Sequence, residues 1–535
     1  LVDYRLDNFH AKVYRSALWG RLAGQGYKII EGYALLLEPC LKSNATFTIG
    51  FLSLLFWWLV HGQTFGQQPS GATDNLGALV EYNDFDVVIA GGSTAAFAAA
   101  IASAESGATT ALLEPTDWVG GQLTASGVPA VDEAWHKISD ASTGKTLLDV
   151  ARWARDPRNI TPNFLQTLQG IKKDCGDCWV SRYCFRPRVY LDTQLRPLIE
   201  KQTNLTVFYE TVVKEVGVND SGSTIESITA VRRRAVAGDG YDRLLSVDLV
   251  DWYSRKPSAR FRKEVLRFGA RDGQPPIFMD ATEWGEVLAL SGADYLQGAE
   301  TTEGDPGGSE TCGQSTVFCF IQKLHAERVN PPPPPPSPSE AEDPTLGFGK
   351  YQAKEDAWKL IWTYRRVRGK GEPAPGDLCL QNWEFSEPLK HGGNDYIFGY
   401  LFKSRAMTDL ETKNWQGGID LKTLAAAEKR AFAWHHWFRQ HAPGPLHADQ
   451  FTLAGKELGT SHGLAKLPYI RDTRRAIGLD GFILKVHDLT GPDGQETGTV
   501  FTDRIALGAY PIDIHPLDNC DLPVRTKRNY ESVPF

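Results

Sequence analysis

The sequence predicts an α/β protein organised around a dinucleotide-binding βαβ unit, with a β-rich and helical substrate domain inserted into it. Three observations predict this. Phe85 to Ala90 (FDVVIA) is an apolar run of β type, followed by the small-residue turn Gly91-Gly92-Ser93 and an Ala-rich helical stretch to Ser106. Gly107 ends that helix, and a second apolar run closes on Glu114. Pro276 to Met279 is another short apolar strand that stops in the small and acidic residues Asp280 to Gly285, where an α/β sheet offers its C-terminal edge to a ligand.

Each position in the unit has a chemical task. Gly91 takes the tight turn, and small Ser93 lets the backbone come close to a pyrophosphate at the helix N-terminus, where free N–H groups and the dipole favour anions. Ser93 and Ala96 stand where the pattern G-x-G-x-x-G has its second and third glycines. Glu114, just after the second strand, is placed to accept hydrogen bonds from a ribose. Gly120 and Gly121 follow it and allow the backbone to lie close against a flat or charged ligand. The alternative is an ordinary βαβ unit with a glycine turn and no ligand.

A hydrophobic content of 42% with 51 glycines and 15 tryptophans suits a loop-rich α/β enzyme with a sizeable core. The net charge of −8 supplies no basic field, so no nucleic-acid partner is expected. Cys175, Cys178 and Cys184 form one local cluster, and Cys312 and Cys319 another. No further His or Cys stands near the first to complete a zinc set, so no metal is expected, and disulfides or plain buried thiols remain.

Along the chain, residues 1–45 show no period and receive no function; with methionine only at Met279 and Met407, the true start is unresolved. Residues 46–66 hold the run FTIGFLSLLFWWLV, whose length fits a signal-peptide core better than a full span. This predicts export to a periplasmic or extracellular location, with an uncleaved anchor or a buried core helix as alternatives. Membrane contact is expected only through residues 46–60. Residues 67–84 read as a linker. Residues 185–202 look helical, and Leu205 to Val216 reads as β structure with Ile225 to Val231 as its hairpin partner across Asn219-Asp220-Ser221-Gly222. Strand character continues to Leu266. Pro331 to Pro336, within the insertion 331–338, is an exposed polyproline segment. Residues 351–368 and 421–438 read as helices, and between them Lys390 to Tyr396 forms a dense polar turn.

Seven segments together resemble the FAD-dependent oxidoreductase family of glutathione-reductase-like flavoproteins, some of whose relatives are labelled xanthan lyase. They are VVIAGGSTAAFAAAIA, EPTDWVGGQLTASGV, CWVSRYCFRPRV, FMDATEWGEVLALSGADY, HGGNDY, LPYIRDTRRAIG and YPIDIHP, in that order between residues 85 and 535. The resemblance implies a Rossmann-like FAD-binding domain in discontinuous pieces, about 85–135, 200–300 and 500–535, with a substrate or cap domain mainly at 300–500. It implies the FAD pyrophosphate on Gly91, Gly92, Ser93 and Ala96, the AMP ribose on Glu114, and further cofactor contact at Gly120 and Gly121. The adenine would lie near Val213, with Ala281 and Thr282 closing over the nucleotide. Two departures stand out. Glu283 occupies the place of the glycine in an Ala-Thr-Gly turn, and the family's final Gly-rich strand and helix would follow YESVPF, so either a C-terminal truncation or incomplete FAD binding is expected.

The expected function is hydride transfer from an unknown small substrate to FAD, assisted by a base. His515 and Asp513 are the first candidates, taken to alternate on a strand at residues 512–514; His391 with Asp395, and His462, come next. Arg471, Arg474 and Arg475 are either a solvated helix face or a clamp for a substrate carboxylate. No second Gly-rich βαβ unit points to a nicotinamide domain, so oxygen or a small carrier is the expected oxidant. An exported carbohydrate-active lyase and an inactive flavoprotein-like binding module are the alternatives. The sequence is silent on oligomeric state.

Overall fold

The computed structural model describes residues 79–131, 137–139, 142–143, 145–149, 162–300, 310–329, 343–386, 391–485, 488 and 514–520. The readings of residues 1–45, 46–66 and 331–338 fall outside these, as does Asp513. The chain divides after Ala72, and everything described belongs to the unit that begins at Thr73.

The N-terminal half carries strands β1 (Leu79–Tyr82), β2 (Val87–Ala90), β3 (Thr110–Leu113), β4 (Leu205–Phe208), β5 (Thr211–Val218), β6 (Ile225–Ala235), β7 (Phe261–Phe268) and β8 (Ile277–Asp280). Helix α1 (Thr94–Glu105) crosses between β2 and β3; α2 (Leu245–Trp252) and α3 (Glu286–Leu290) follow. One sheet is parallel in the order β8-β2-β3-β4. Its inner strands β2 and β3 are buried at every residue, and a strand covered on both faces reads as an unbroken apolar run.

The period of two sorts those residues. Val87, Ile89 and Leu112 join the cluster that contains Ala96, Phe97, Ala100, Ile101 and Ala104 of α1. Val88, Ala90, Ala111 and Leu113 join Val213, Ile228, Ala230, Leu266 and Phe268 of the second sheet. That second sheet has the order β1-β7-β6-β5, with β1 parallel to β7 and the other pairs antiparallel.

Three readings of the sequence are corrected here. Leu205 to Val216 is two strands in two sheets, broken at Tyr209 and Glu210, where Glu210 takes a φ of 56°. The expected strand continuing to Leu266 is interrupted by α2. The linker 67–84 ends in β1, which is recruited as an edge of the second sheet.

The C-terminal half carries β9 (Thr316–Val317), β10 (Phe320–Leu324), α4 (Ala357–Tyr364), β11 (Arg366–Arg368), β12 (Leu378–Gln381), β13 (Asp395–Tyr396), α5 (Leu421–Gln440), β14 (Phe451–Leu453) and β15 (Tyr469–Ile470). Strands β11-β12-β10-β14 form one antiparallel sheet and β13-β9-β15 another. Helix α5 starts on Asp420, whose carboxylate accepts from the Thr423 N–H, and its Trp434 and Phe438 pack on each other. Phe438 also stacks on Trp358 of α4. The expected helix at 351–368 is shorter, because its last turn gives way to β11.

Cys178 is bonded to Cys184, and Cys312 to Cys520, while Cys175, Cys319 and Cys379 are free. The second cysteine cluster is therefore not a local pair. Among the described residues no helix is long and apolar enough to cross a membrane.

Candidate functional site

The first part of the site is the turn after β2. Gly91 has a φ of +107°, and a Cβ there would lie 2.3 Å from the Ala281 carbonyl oxygen, so the chain after β8 sits directly on this backbone. Ser93 ties the two together: its Oγ donates to the Ala281 carbonyl at 2.8 Å and accepts from the Ala96 N–H at 3.1 Å. The first turn of α1 keeps N–H groups that the helix itself cannot pair. Thr94 Oγ1 donates to the Gly120 carbonyl at 2.9 Å, which fixes the Gly120-Gly121 loop against that turn.

Glu114 is fully buried. Its Oε1 accepts from the Thr116 N–H and hydroxyl, while Oε2 is buried without a hydrogen bond. Burial pushes its carboxyl well above the usual range, and the nearby Glu283 and Asp117 add to the rise. Val213, Thr282 and Glu283 line one cleft with Gly91. The structure thus brings together Gly91, Gly92, Ser93, Ala96, Glu114, Val213, Ala281 and Thr282, with Gly120 and Gly121 beside them.

The residues present fit a dinucleotide. An unspent carboxylate oxygen at Glu114 suits a ribose hydroxyl, and the turn at Gly91 leaves no room for a side chain. A Cβ at Gly92 would lie 2.3 Å from Glu114 Oε2. Gly92→Ala is therefore expected to weaken FAD binding by at least about tenfold, or 1.4 kcal/mol, in a fluorescence titration; an unchanged Kd would remove Gly92 from the cradle.

The second part is a polar pocket of about 50 Å³ whose wall includes Gln122, Arg365, Trp383, Glu384, Arg471 and His515. Gln122 follows Gly120 and Gly121 directly, so the pocket begins where the Gly120-Gly121 loop ends. His515 reaches it from a segment clipped to residues 314–315: its N–H donates to Gln314 Oε1 at 3.2 Å, and its carbonyl accepts from the Ser315 N–H at 2.8 Å. His515 Nδ1 lies 2.8 Å from Asp395 Oδ2, and Arg471 pairs with Asp395 Oδ1 at 3.0 Å. Nδ1–H donates to the carboxylate in this arrangement, which leaves Nε2 on the pocket side, 3.8 Å from Glu384 Oε2.

Asp395 is 1% exposed. Burial would raise its carboxyl, but Arg471 and His515 outweigh burial and hold it down at about 2. A depressed carboxylate stabilises the fold above its unfolded value near 3.9, and the contribution is lost as pH falls through about 2. Asp395→Asn is expected to cost on the order of 2 kcal/mol near neutral pH in urea unfolding. The gap to the wild type should close between about pH 4 and pH 2; a gap that stays constant would contradict the pairing.

The other candidates are placed elsewhere. Asp395 partners His515 and not His391, which lies in a two-residue strand against Gly347. Residues 514–515 are not a strand; only Pro516 makes an isolated bridge, to Gln314. His462 accepts from the Leu464 N–H, and burial and Lys466 push it down to about 4. The arginine run is not a helix face. Arg474 donates to the Trp284 and Gly418 carbonyls and Arg475 to that of Gly298, so Arg471 alone joins the pocket, bound to Asp395 and Ser315 and not left as an open clamp. Sequence reasoning missed Arg365, Asn382, Trp383 and Glu384. They have no local motif: Arg365 sits between α4 and β11, and only the place of the other three, after β12 and before the HGGNDY turn, hints at them.

A parallel sheet with a dinucleotide-type turn, joined to an antiparallel module that carries a buried aspartate paired with a histidine, is the fold of a nucleotide-binding protein. The chain belongs to the FAD dependent oxidoreductase family, whose profile matches residues 86–239 and 265–535. Its cofactor is FAD. No curated protein matches the chain. Among solved structures, GidA from Aquifex aeolicus is similar at 18% identity over 28% of this chain and 23% of that one, with a TM-score of 0.17. The p-nitrophenol 4-monooxygenase PnpA from Pseudomonas putida is 13% identical over 46% and 48%, with a TM-score of 0.22. L-proline dehydrogenase from P. horikoshii is 12% identical over 45% and 52%, with a TM-score of 0.17. The chain thus spans about a quarter to a half of the length of these structures, and scores this low carry no argument about the site.

Proposed function

We propose that the chain oxidises a small polar alcohol or amine, its C–H hydride passing to FAD and its O–H or N–H proton to His515. The observation that carries this reading is the His515–Asp395 pair in a pocket whose wall continues the Gly120-Gly121 loop. FAD, when bound, accepts the hydride and with it both electrons. Nε2 of His515 takes the proton, and Asp395 holds the ring and stabilises the imidazolium that results. Buried Asn382 Oδ1 and Trp383 Nε1 have no hydrogen-bond partner among the described residues, and they offer one acceptor and one donor to orient the substrate. Gly91, Gly92, Ser93, Ala96, Glu114, Gly120, Gly121, Val213, Ala281 and Thr282 hold the cofactor in this reading.

The test is anaerobic mixing of the FAD-loaded full chain with panels of alcohols, amines and hydroxy acids, following the visible flavin band. Bleaching by one class identifies the substrate, and a flavin that no panel member reduces while dithionite does would sink the reading. The lyase alternative gains no support from the family match. Export is supported by the Cys178–Cys184 and Cys312–Cys520 bonds, which suit an oxidising compartment, together with the apolar run at 46–66.

A further inference from the structure

The segment that covers Gly91 carries a group for which a dinucleotide cradle has no ordinary use. Glu283 follows Ala281 and Thr282 after β8, and its Oε1 is buried with no hydrogen-bond partner among the described residues. It shares a cleft with Gly91, Leu113 and Val213. Glu114 Oε2, also buried and unpartnered among the described residues, belongs to the same cradle, and the charge of Glu283 raises the Glu114 carboxyl further. Ionised together, they would repel one another and any phosphate held at the Gly91 turn.

The surrounding charges do not relieve this. The loop after β3 brings Glu114 and Asp117, and of these only Asp117 has a cation against it, the buried Lys466 at 3.1 Å. The end of β8 adds Asp280, whose Oδ1 accepts from the Thr282 N–H and hydroxyl. Helix α3 brings Glu286, whose Oε1 already accepts from Tyr253 and Trp415. Arg474, the cation beside them, is turned to the Trp284 and Gly418 carbonyls. The wall after β8 is therefore rich in acceptors, while the donors already placed for a phosphate are the N–H groups of the first turn of α1.

We propose that Glu283 is a cofactor-binding residue that donates a hydrogen bond from its protonated carboxyl to the adenosine diphosphate half of FAD. The proposal rests on the placement of FAD at the Gly91 turn. A neutral carboxyl supplies an O–H that is not already given to an acid of this wall, as that of Thr282 is to Asp280, and places no charge beside Glu114. Burial pushes the Glu283 carboxyl up to about 7, so the donor is present at and below neutrality and is lost as pH rises. FAD binding becomes proton-coupled in consequence.

The experiment is a fluorescence titration of the full chain, stripped of FAD, with FAD and separately with ADP between about pH 6 and pH 9. The wild type is expected to lose affinity for both by about tenfold per pH unit above neutrality. Glu283→Gln, whose amide donates without titrating, should bind both with a flat profile. A flat wild-type profile overturns the proposal, as does a Glu283→Gln chain that keeps the slope, which assigns the titration to Glu114. A slope with FAD but none with ADP overturns it too, because the group then acts on the flavin half. A chain that binds neither probe at any pH sinks the placement of the cofactor itself.

Discussion

His515→Asn is expected to slow anaerobic flavin reduction by about 100- to 10,000-fold, the range general-base removal costs. The argument is geometric. Asp395 takes the Nδ1 side of the ring at 2.8 Å, so Nε2 is the nitrogen on the side of the pocket and of Glu384. Asparagine keeps a polar group of similar reach but cannot accept and hold a proton near neutrality. The loss should fall on kcat and leave KM within a few-fold, and the acid limb of the wild-type rate profile should vanish with it. Asp395→Asn should give a smaller loss with the same sign, since it disturbs the ring's tautomer and leaves the base in place. A His515→Asn enzyme that reduces its flavin at the wild-type rate would remove the residue from the chemistry.

Arg430→Met is expected to lower stability by about 3 to 5 kcal/mol, the cost of breaking a buried charged network. Arg430 lies on α5 with its side chain 3% exposed. Its Nε donates to the Gly393 carbonyl at 2.8 Å, Nη1 to Asp343 at 2.8 Å and Thr345 Oγ1 at 2.5 Å, and Nη2 to the Thr345 and Gly392 carbonyls at 3.1 and 3.0 Å. Methionine matches the apolar stem and abandons every one of these acceptors. Lysine retains the charge but not the planar fork, so Arg430→Lys should recover only part of the loss. The same guanidinium holds the two residues before Asn394 and Asp395, so the methionine variant should also lose turnover. Urea unfolding decides the matter; a change under about 1 kcal/mol would mean the network is dispensable.

The cofactor half was legible because its signals are contiguous. The run from Val87 to Glu114 states strand, turn, helix, strand and acid in order, and each falls where the fold needs it. The pocket was legible only in part. His515 and Asp395 were each singled out, but their pairing spans 120 residues, and nothing local to either names the other. Asp395 was assigned to His391 because the two are neighbours in sequence, whereas β13 turns the aspartate toward β9 and β15. Leu205 to Val216 misled for a related reason. Propensity measures the preference for a pleated surface and is blind to which sheet recruits it. The break at Arg365 between α4 and β11 has no glycine or proline to announce it.

The parallel sheet imposes an order on the birth of the protein. Strand β8 lies next to β2, yet the chain between their tips is long: Ser93 grips Ala281, 188 residues later. At about 5 to 20 residues per second, a ribosome needs on the order of ten seconds or more to deliver the partner of a turn already made. Until then β2 is the open edge of a sheet with both faces apolar, a surface that pairs readily with another nascent copy. This protein should therefore lean on chaperones early in synthesis, and FAD can reward only a chain that has passed residue 281.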